Sequence, residues 1–593
     1  MKKMRKIFKN TISAALLSGM TLLVSCTDFL TIYPANDIIH ENFWQTVDDV
    51  NGMMATGYLQ LLSKDAVERM VVWGELRGDN MCVRKSSSNI TYKYIVEGNL
   101  RDDNSYCNWA VFYRAINYAN LVLEFAPLVV ERDPNFTQGD CDIVMGEMYA
   151  LRAMAHFYLV RTFRDIPLSY KASLNDSDLG TYPQVHPCVA LDSIMNDLDR
   201  ADALVMRTGG FPNSVNSDFN YSRITRDAVR AMKTDVNLWR AAFATYYQGA
   251  DSVQVGNPDD YYRMAIACSD SVINSYMSRI RKFYDENKIK VEAGPGTDNP
   301  YYLAQNIVSK MEPKYSTVYD NFFGSGKDFT GSSFIAERGE ILFELKFDET
   351  KNVNSAISGL YGNSNDGLGT MCVNKNYVKD SKDNIYKESD LRVYSYTNID
   401  ELGSNNSSGV SEASDEVGIA KYVYKTSPAF TGNARTKNNF DANWVIYRLT
   451  DVMLMKAEAL AHLSTSTRED LDEAYHIVKA VNNRSLTYAA DSLRITDYTS
   501  NDDVAKLVLD ERVRELAFEG KRWYDLVRVA LRDKSTANIL FVADKVEGAS
   551  SAVRKKMQSI HTIFFPIAES EMNVNSLLVQ NPAYETSSSI EQN

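Results

Sequence analysis

The run from 508 to 529, Val-Leu-Asp-Glu-Arg-Val-Arg-Glu-Leu-Ala-Phe-Glu-Gly-Lys-Arg-Trp-Tyr-Asp-Leu-Val-Arg-Val, constrains this chain more than any other stretch. Leu509, Val513, Leu516, Trp523 and Val527 recur at helical steps, so the spacing predicts one amphipathic helix with an apolar stripe. Asp510 with Arg514, Arg512 with Glu515, Glu519 with Arg522 and Lys521 with Asp525 lie three or four apart with opposite signs; such pairs brace a polar face along itself. Glu511, Glu515 and Glu519 at helical spacing invite general acid–base or metal chemistry. No histidine falls in the run, however, and each carboxylate has an arginine near it. That setting keeps a carboxylate ionised, whereas a catalytic acid needs its pKa raised. The run reads as a buried, braced structural helix, with Trp523 in the core.

Helical patterning extends over most of the chain. Trp109, Tyr113, Ile116 and Asn120 share a face, and further helices are expected at about 146–163, 190–205, 225–247, 259–276, 447–463, 468–482 and 502–531. Alanines recur inside them (Ala150, Ala153 and Ala155; Ala228 and Ala231; Ala457, Ala459 and Ala461), as close packing of antiparallel helices requires. His156 has no second histidine or cysteine spaced to join it and reads as a satisfied core residue. Two stretches break the pattern. Between 77 and 104 the periodicity fails, and Arg84-Lys85-Ser86-Ser87-Ser88-Asn89 reads as loop. From about 284 to 444 the chain is irregular and rich in Ser, Asn and Gly, with one strand-like run at 340–347; an irregular stretch of that length is functional or disordered.

Lys2, Lys3, Arg5, Lys6 and Lys9 precede an apolar run at 12–24, the charge and length of an export signal over 1–25 rather than a membrane span. Leu23-Val24-Ser25-Cys26 is similar to a bacterial lipobox, so Cys26 is expected to be acylated and to anchor the mature chain. Cys82, Cys107, Cys141, Cys188, Cys268 and Cys372 are dispersed, with no Cys-x-x-Cys. They read as thiols rather than a zinc site or a disulfide framework. The net charge of −13 argues against a nucleic-acid binder, which needs a basic footprint.

Several of these blocks resemble the SusD/RagB family of surface nutrient-uptake lipoproteins. They are Glu511-Arg512 through Arg528, Leu151-Arg152-Ala153-Met154 through Pro167, the Trp109 to Asn120 string, Phe43-Trp44, Tyr447 to Ala459, and Phe565-Pro566 with the closing Gln580-Asn581-Pro582. The resemblance implies a mainly α fold, a tetratricopeptide-like scaffold of helical hairpins over 26–593. An extended arm at 26–39 would precede a helix opening on Phe43-Trp44. A loop-rich insertion at about 284–444 with short strands and a C-terminal family region at 445–593 would follow. It also implies an outer-membrane, outward-facing protein that hands its ligand to a SusC-like TonB-dependent transporter, with no cofactor; the sequence names no metal-ligating residues and leaves a structural metal ion open. The ligand would be an oligosaccharide or, as in RagB-like members, a peptide.

No Gly-x-Ser-x-Gly, His-Glu-x-x-His, P-loop or Rossmann fingerprint occurs. The chain is therefore read as a non-enzyme, with a surface glycoside hydrolase as the alternative, since two carboxylates suffice for that chemistry. In glycan-binding members the site lies on the early loop and the insertion, where aromatic rings stack on sugars. Here the early loop offers Trp73, Asp79, Asn80, Arg84, Asn89, Tyr92 and Tyr94. The insertion offers Tyr301, Tyr302, Tyr315, Tyr319, Phe322 and Phe323. Rings give a large rigid apolar face at small entropic cost, and Tyr92, Tyr94, Tyr301 and Tyr319 are the preferred four.

Overall fold

In the computed structural model the described residues are 43–174, 181–211, 219–250, 255–287, most of 339–374, shorter stretches on to 422, then 440–486 and 492–584, with single positions such as 301, 319 and 322–323. The expected leader, Cys26, the arm and much of 284–444 lie outside them. The main helices are α1 (Val47–Leu62), α2 (Lys64–Val71), α3 (Ile90–Val96), α4 (Ala110–Val130), α5 (Gln138–Phe163), α6 (Pro187–Leu204), α7 (Arg226–Tyr247), α8 (Pro258–Asn287), α9 (Leu449–His462), α10 (Arg468–Asn483), α11 (Asn501–Leu516) and α12 (Arg522–Arg532). Four of them start on one device. Thr46, Thr137, Thr467 and Ser500 each accept from the backbone N–H three residues on, and the aspartate there bonds back to the cap residue. Each pair satisfies donors that a helix start otherwise leaves open.

The helices pack mostly in chain order: α1 on α4, α4 on α5, α5 on α6, α6 on α7, α7 on α8, α8 on α9, and α9 on α10 and α11. The structure is mainly α, consistent with a tetratricopeptide-like scaffold. Ala150, Ala153, Ala155, Ala228, Ala231, Ala457, Ala459 and Ala461 are all buried in the seams, as their recurrence predicts. His156 is fully buried, its Nδ1 3.1 Å from the Arg152 carbonyl. All six cysteines of the described chain are free thiols.

Strands are few and short: β1 (Met81–Val83), β2 (Ile166–Pro167), β3 (Gln184–Val185), β4 (Ile341–Leu345), β5 (Met371–Val373) and β6 (Trp444–Arg448), besides a two-residue pair at 362–368. β4 pairs antiparallel with β6, Ile341 opposite Arg448 and Leu345 opposite Trp444. This pair ties the middle of the insertion to its C-terminal end. All five residues of β4 are buried, so it is covered on both faces rather than alternating.

The 508–529 run departs from expectation. It is two helices, α11 and α12, separated by Ala517 to Lys521, where Phe518 (φ 66°) and Gly520 (φ 72°) adopt left-handed backbone. Helical propensity is overridden by a tertiary partner. The Glu75 carboxylate, wholly buried on a π-helical turn at Val72–Leu76, accepts from Phe518 N at 2.7 Å, Lys521 N at 2.9 Å and Arg522 N at 3.3 Å. Gly74 on that turn lies so close that a Cβ there would sit 1.9 Å from the Gly520 carbonyl oxygen. Glycine on both sides permits the approach.

Asp510 and Arg514 pair along α11 with Lys506 and Glu511, while the other expected pairs are replaced by pairs across elements, several of them to the insertion. Glu515 accepts from Arg484 at 2.6 Å, Arg448 at 2.7 Å, Arg392 at 3.0 Å and the Tyr319 hydroxyl at 3.1 Å. Glu519 takes Arg448 at 2.8 Å and Lys421 at 2.6 Å, and Arg512 bonds Asp525 at 2.9 Å and Asp451 at 3.0 Å. Burial alone raises the Glu515 carboxyl, but Arg484, Arg448 and Arg392 outweigh it and hold it well below the usual range. Trp523 is core as expected. Its Nε1 donates to the Ile563 carbonyl at 3.2 Å, and the Arg77 guanidinium lies 4.3 Å from its ring.

Two smaller expectations also change. α1 begins at Val47; Phe43 and Trp44 precede it, with Trp44 stacked on Phe125 at 5.5 Å. The stretch 77–104 is not all loop, since it holds β1 and α3.

Candidate functional site

The early excursion and the insertion meet in β1 and β5, which pair antiparallel with Met81 opposite Val373 and Val83 opposite Met371. The chain before β1 is anchored, not offered to a ligand. Trp73 is fully buried, donating from Nε1 to the Tyr106 carbonyl at 2.8 Å and stacking on Phe112 at 5.1 Å. Asp79 is gripped at both oxygens by Arg522, at 2.7 and 2.9 Å, and Asn80 donates to Glu75 at 2.5 Å. Lys545 reaches in from the far end of the chain to the carbonyls of Leu76 (2.6 Å), Met81 (2.8 Å) and Gly78. Burial brings its ammonium down to about 8. Trp73, Asp79 and Asn80 are thus corrected to structural residues: each sits where the π-helical turn locks onto α12.

Beyond β1 the excursion turns outward. The Arg84 backbone N–H continues the ladder to the Thr370 carbonyl at 3.0 Å, and its guanidinium meets Glu416 of the insertion at 3.2 Å. The Lys85 N–H reaches the same carboxylate at 2.5 Å. Asn89 caps α3, accepting from Thr91 N at 3.0 Å. On α3 itself the faces divide. Tyr92 and Ile95 point inward, with the Tyr92 hydroxyl 2.6 Å from that of Tyr106, whereas Ile90 and Tyr94, one helical turn apart, are 56% and 39% exposed. Tyr92 is therefore corrected to a core residue. Ile90 was missed, although its place four residues before Tyr94 was the signal available.

The insertion aromatics divide differently. Tyr319, Phe322 and Phe323 are buried: Tyr319 bonds Ser485 at 2.6 Å and Glu515 at 3.1 Å, and Lys421 lies 4.7 Å from the Phe323 ring centre. They serve the ionic junction rather than a stacking surface, and the expectation for them is corrected. Irregular sequence does not mean exposed side chains when the segment is pinned to a helix. Tyr301 is half-buried against the core, and burial raises its hydroxyl, with Lys456 of α9, Glu473 of α10 and Asp270 of α8 as neighbours. It belongs to the helical array. Tyr302 and Tyr315 lie outside the described residues.

Arg84, Asn89 and Tyr94, with Ile90, thus remain together where excursion and insertion meet. Their chemistry is one ring, one branched aliphatic chain and polar groups at the edge. No group of three or more His, Cys, Asp or Glu side chains among the described residues is placed to hold a metal.

Fold and surface together define a helical-repeat scaffold that carries a loop-built face. Two family models match the chain in succession. One, described as starch-binding associating with outer membrane, spans residues 28–238, and the SusD family model spans residues 370–584. The first takes in the whole early excursion, the second β5 and the C-terminal motif; the chain belongs to the SusD/RagB family. Two SusD-like proteins of Formosa agariphila are similar at 25% identity over 542 residues (88% of this chain, 92% of theirs) and 23% over 540 residues (89% and 91%). Among solved structures, a SusD homologue of Bacteroides thetaiotaomicron superposes with a TM-score of 0.65 at 18% identity, covering 92% of this chain and 98% of its own. A laminarin-binding SusD-like protein gives 0.58 at 18%, covering 91% and 100%. At these identities the structures speak for the fold.

Proposed function

We propose that this protein is a glycan-binding lipoprotein of the outer membrane, facing outward, that captures an oligosaccharide and passes it to a SusC-like TonB-dependent transporter. The observation that carries the reading is the exposed Ile90–Tyr94 face of α3, which follows Arg84 and Asn89 in the chain just beyond the β1–β5 pairing. An aromatic face beside hydrogen-bonding side chains suits a sugar, which offers C–H groups on one face and hydroxyls at its edge. The starch-binding family description and the laminarin-binding neighbour support a glycan over a peptide. Acylated Cys26 supplies the anchor, and the arm at 26–39 with a face of the helical array supplies the transporter contact. Arg84, Asn89 and Tyr94 are the remaining ligand-contact candidates among the described residues.

The test is a binding screen of the purified protein against polysaccharides and oligopeptides. Binding of a glucan or related oligosaccharide that weakens in Tyr94→Ala supports the reading. Binding of peptides alone, or release of shortened product from a glycan, overturns it.

A further inference from the structure

A second cleft lies between α4, α5 and α6, well away in sequence from α3, with a volume of about 470 Å³. Ligand sites commonly occupy about 300 to 1,000 Å³. Its floor is rigid and polar. Arg152, buried, donates to both oxygens of buried Asp197 at 2.8 Å and to Asn120 Oδ1 at 2.8 Å. Asn120 in turn donates to the carbonyls of Ser169 and Lys171, at 3.2 and 3.1 Å. Two rings flank this floor: the Arg152 guanidinium carbon is 4.5 Å from the centre of Tyr170 and 5.4 Å from that of Tyr149. Tyr170 remains 41% exposed.

The rim differs from the floor. Glu124 of α4 and Asn196 and Arg200 of α6 line the cleft, and no hydrogen bond or ion pair occupies their polar ends among the described residues. Arg200 touches only the Tyr149 ring, at 5.4 Å. Glu124, Asn196 and Arg200 are exposed to water, so a ligand seated here has to replace that water with hydrogen bonds of its own to one donor, one acceptor and one amide that is both. The charges select its class. Asp197 neutralises Arg152, and Glu124 opposes Arg200, so an anion gains no net attraction. An apolar ligand would strip water from the charged rim without replacing its hydrogen bonds. A neutral polyol with paired hydroxyls fits, since each hydroxyl both donates and accepts.

We propose that this cleft is a second carbohydrate site, taking one neutral hexopyranose unit. It rests on reading the chain as a glycan binder, yet shares no residue with the α3 face. The experiment uses saturation-transfer NMR on the full-length protein with D-glucose, D-galactose and D-mannose in turn, and D-glucuronate as the charged comparator. Two variants separate the sites: Asn196→Ala with Arg200→Ala, whose side chains bond nothing in the fold, and Tyr94→Ala. The expected result is a saturable signal from at least one neutral hexose, reduced at least five-fold by the paired α6 substitutions and unchanged by Tyr94→Ala. No saturable hexose signal, a signal untouched by the α6 pair, or a stronger signal from glucuronate each overturns the proposal. Oligosaccharide binding that still depends on Tyr94 in those cases would leave the proposed function standing alone.

Discussion

Glu515 meets five side-chain donors inside the protein, whereas Ile90 and Tyr94 on α3 meet solvent. The first region joins α11, β6, α10 and the insertion through charges removed from water. The second is a single turn of helix whose inner half is packed and whose outer half is left open. A buried ion pair gains little net stability over well-packed apolar groups, because desolvation offsets most of the attraction. What such a junction supplies is geometry. Glu340, Arg392 and Lys421 come from the insertion, and their partners Arg484, Glu511, Glu515 and Glu519 from the helical scaffold, while Asp390 braces Arg392 from within the insertion. An otherwise irregular segment is thereby held in one place. On α3 the same economy is reversed: exposed apolar area is slightly unfavourable for the free protein and available to a partner.

The largest expected effect comes from breaking the junction. Glu515→Ala leaves Arg448, Arg392 and Arg484 short of a shared counter-charge in the interior, and removing one partner of a buried ionic group typically costs about 3 to 5 kcal/mol. Urea unfolding monitored by circular dichroism should show that loss. A midpoint within error of wild type would mean that the junction is hydrated and the contrast with α3 false. Next to it stands Trp523→Ala, which removes a buried indole under Arg77 and should cost about 3 to 5 kcal/mol. An unchanged melting temperature with lost ligand binding would instead move Trp523 to the ligand side of the comparison.

Much of the contrast was legible in the sequence, and its failures have a common cause. The alanine seams and the burial of Trp523 follow from local pattern, because each depends on neighbours within a turn or two. The break at 517–521 was invisible, since its cause is Glu75, more than four hundred residues away. Tyr92, Tyr319, Phe322 and Phe323 were misread for the same reason. Their surroundings lack periodicity, yet Tyr106, Ser485 and the α11 carboxylates bury them. Asn89 and Tyr94 survive as candidates because no distant element buries their side chains, whereas Arg84 survives although its guanidinium meets Glu416 of the insertion.

Acid should separate the two regions in another way. His156 and His462 are each brought down to about 3, by burial first and then by neighbouring Arg152 and Arg532 respectively. A histidine with a lowered folded pKa contributes stability that is complete above about 6.5, its unfolded value, and is lost as pH falls toward the folded value, by up to about 1.4 kcal/mol per pH unit for each group. Below about 4.5 the carboxylates join in, since Asp451 is held near 2, where Lys521 and Arg512 outweigh burial, and Glu515 lies well below its usual range. Urea midpoints should fall between pH 6.5 and 5, and His156→Gln should flatten that slope. A wild-type midpoint that stays level over this interval would show that these histidines take up protons within the fold.

A finer cut runs through α3 itself. Tyr92→Phe removes one buried hydroxyl and leaves that of Tyr106 without it, so a loss of about 1 kcal/mol is expected, with ligand binding preserved. A binding loss there exceeding the stability loss would show that the inward face of α3 is also part of the site.

The smallest effect on stability, and the most informative, belongs to Tyr94→Ala. Its ring is exposed, and no hydrogen bond or ring contact ties it to the rest of the described chain. The substitution should therefore leave the unfolding midpoint within about 0.5 kcal/mol of wild type. A ring stacked on a sugar contributes apolar burial that alanine cannot replace, so affinity for the bound oligosaccharide should fall by at least about five-fold, or 1 kcal/mol. Isothermal titration calorimetry of Tyr94→Ala and Ile90→Ala against the same ligand reads the site from affinity, and urea unfolding of the same variants reads the fold. If Tyr94→Ala binds as tightly as wild type, the open half of α3 is ordinary surface, and the ligand face lies on residues of the insertion beyond Arg84 and Asn89. If it instead destabilises the fold as Trp523→Ala does, Tyr94 belongs with Tyr92, and the division of α3 into a packed half and an offered half fails.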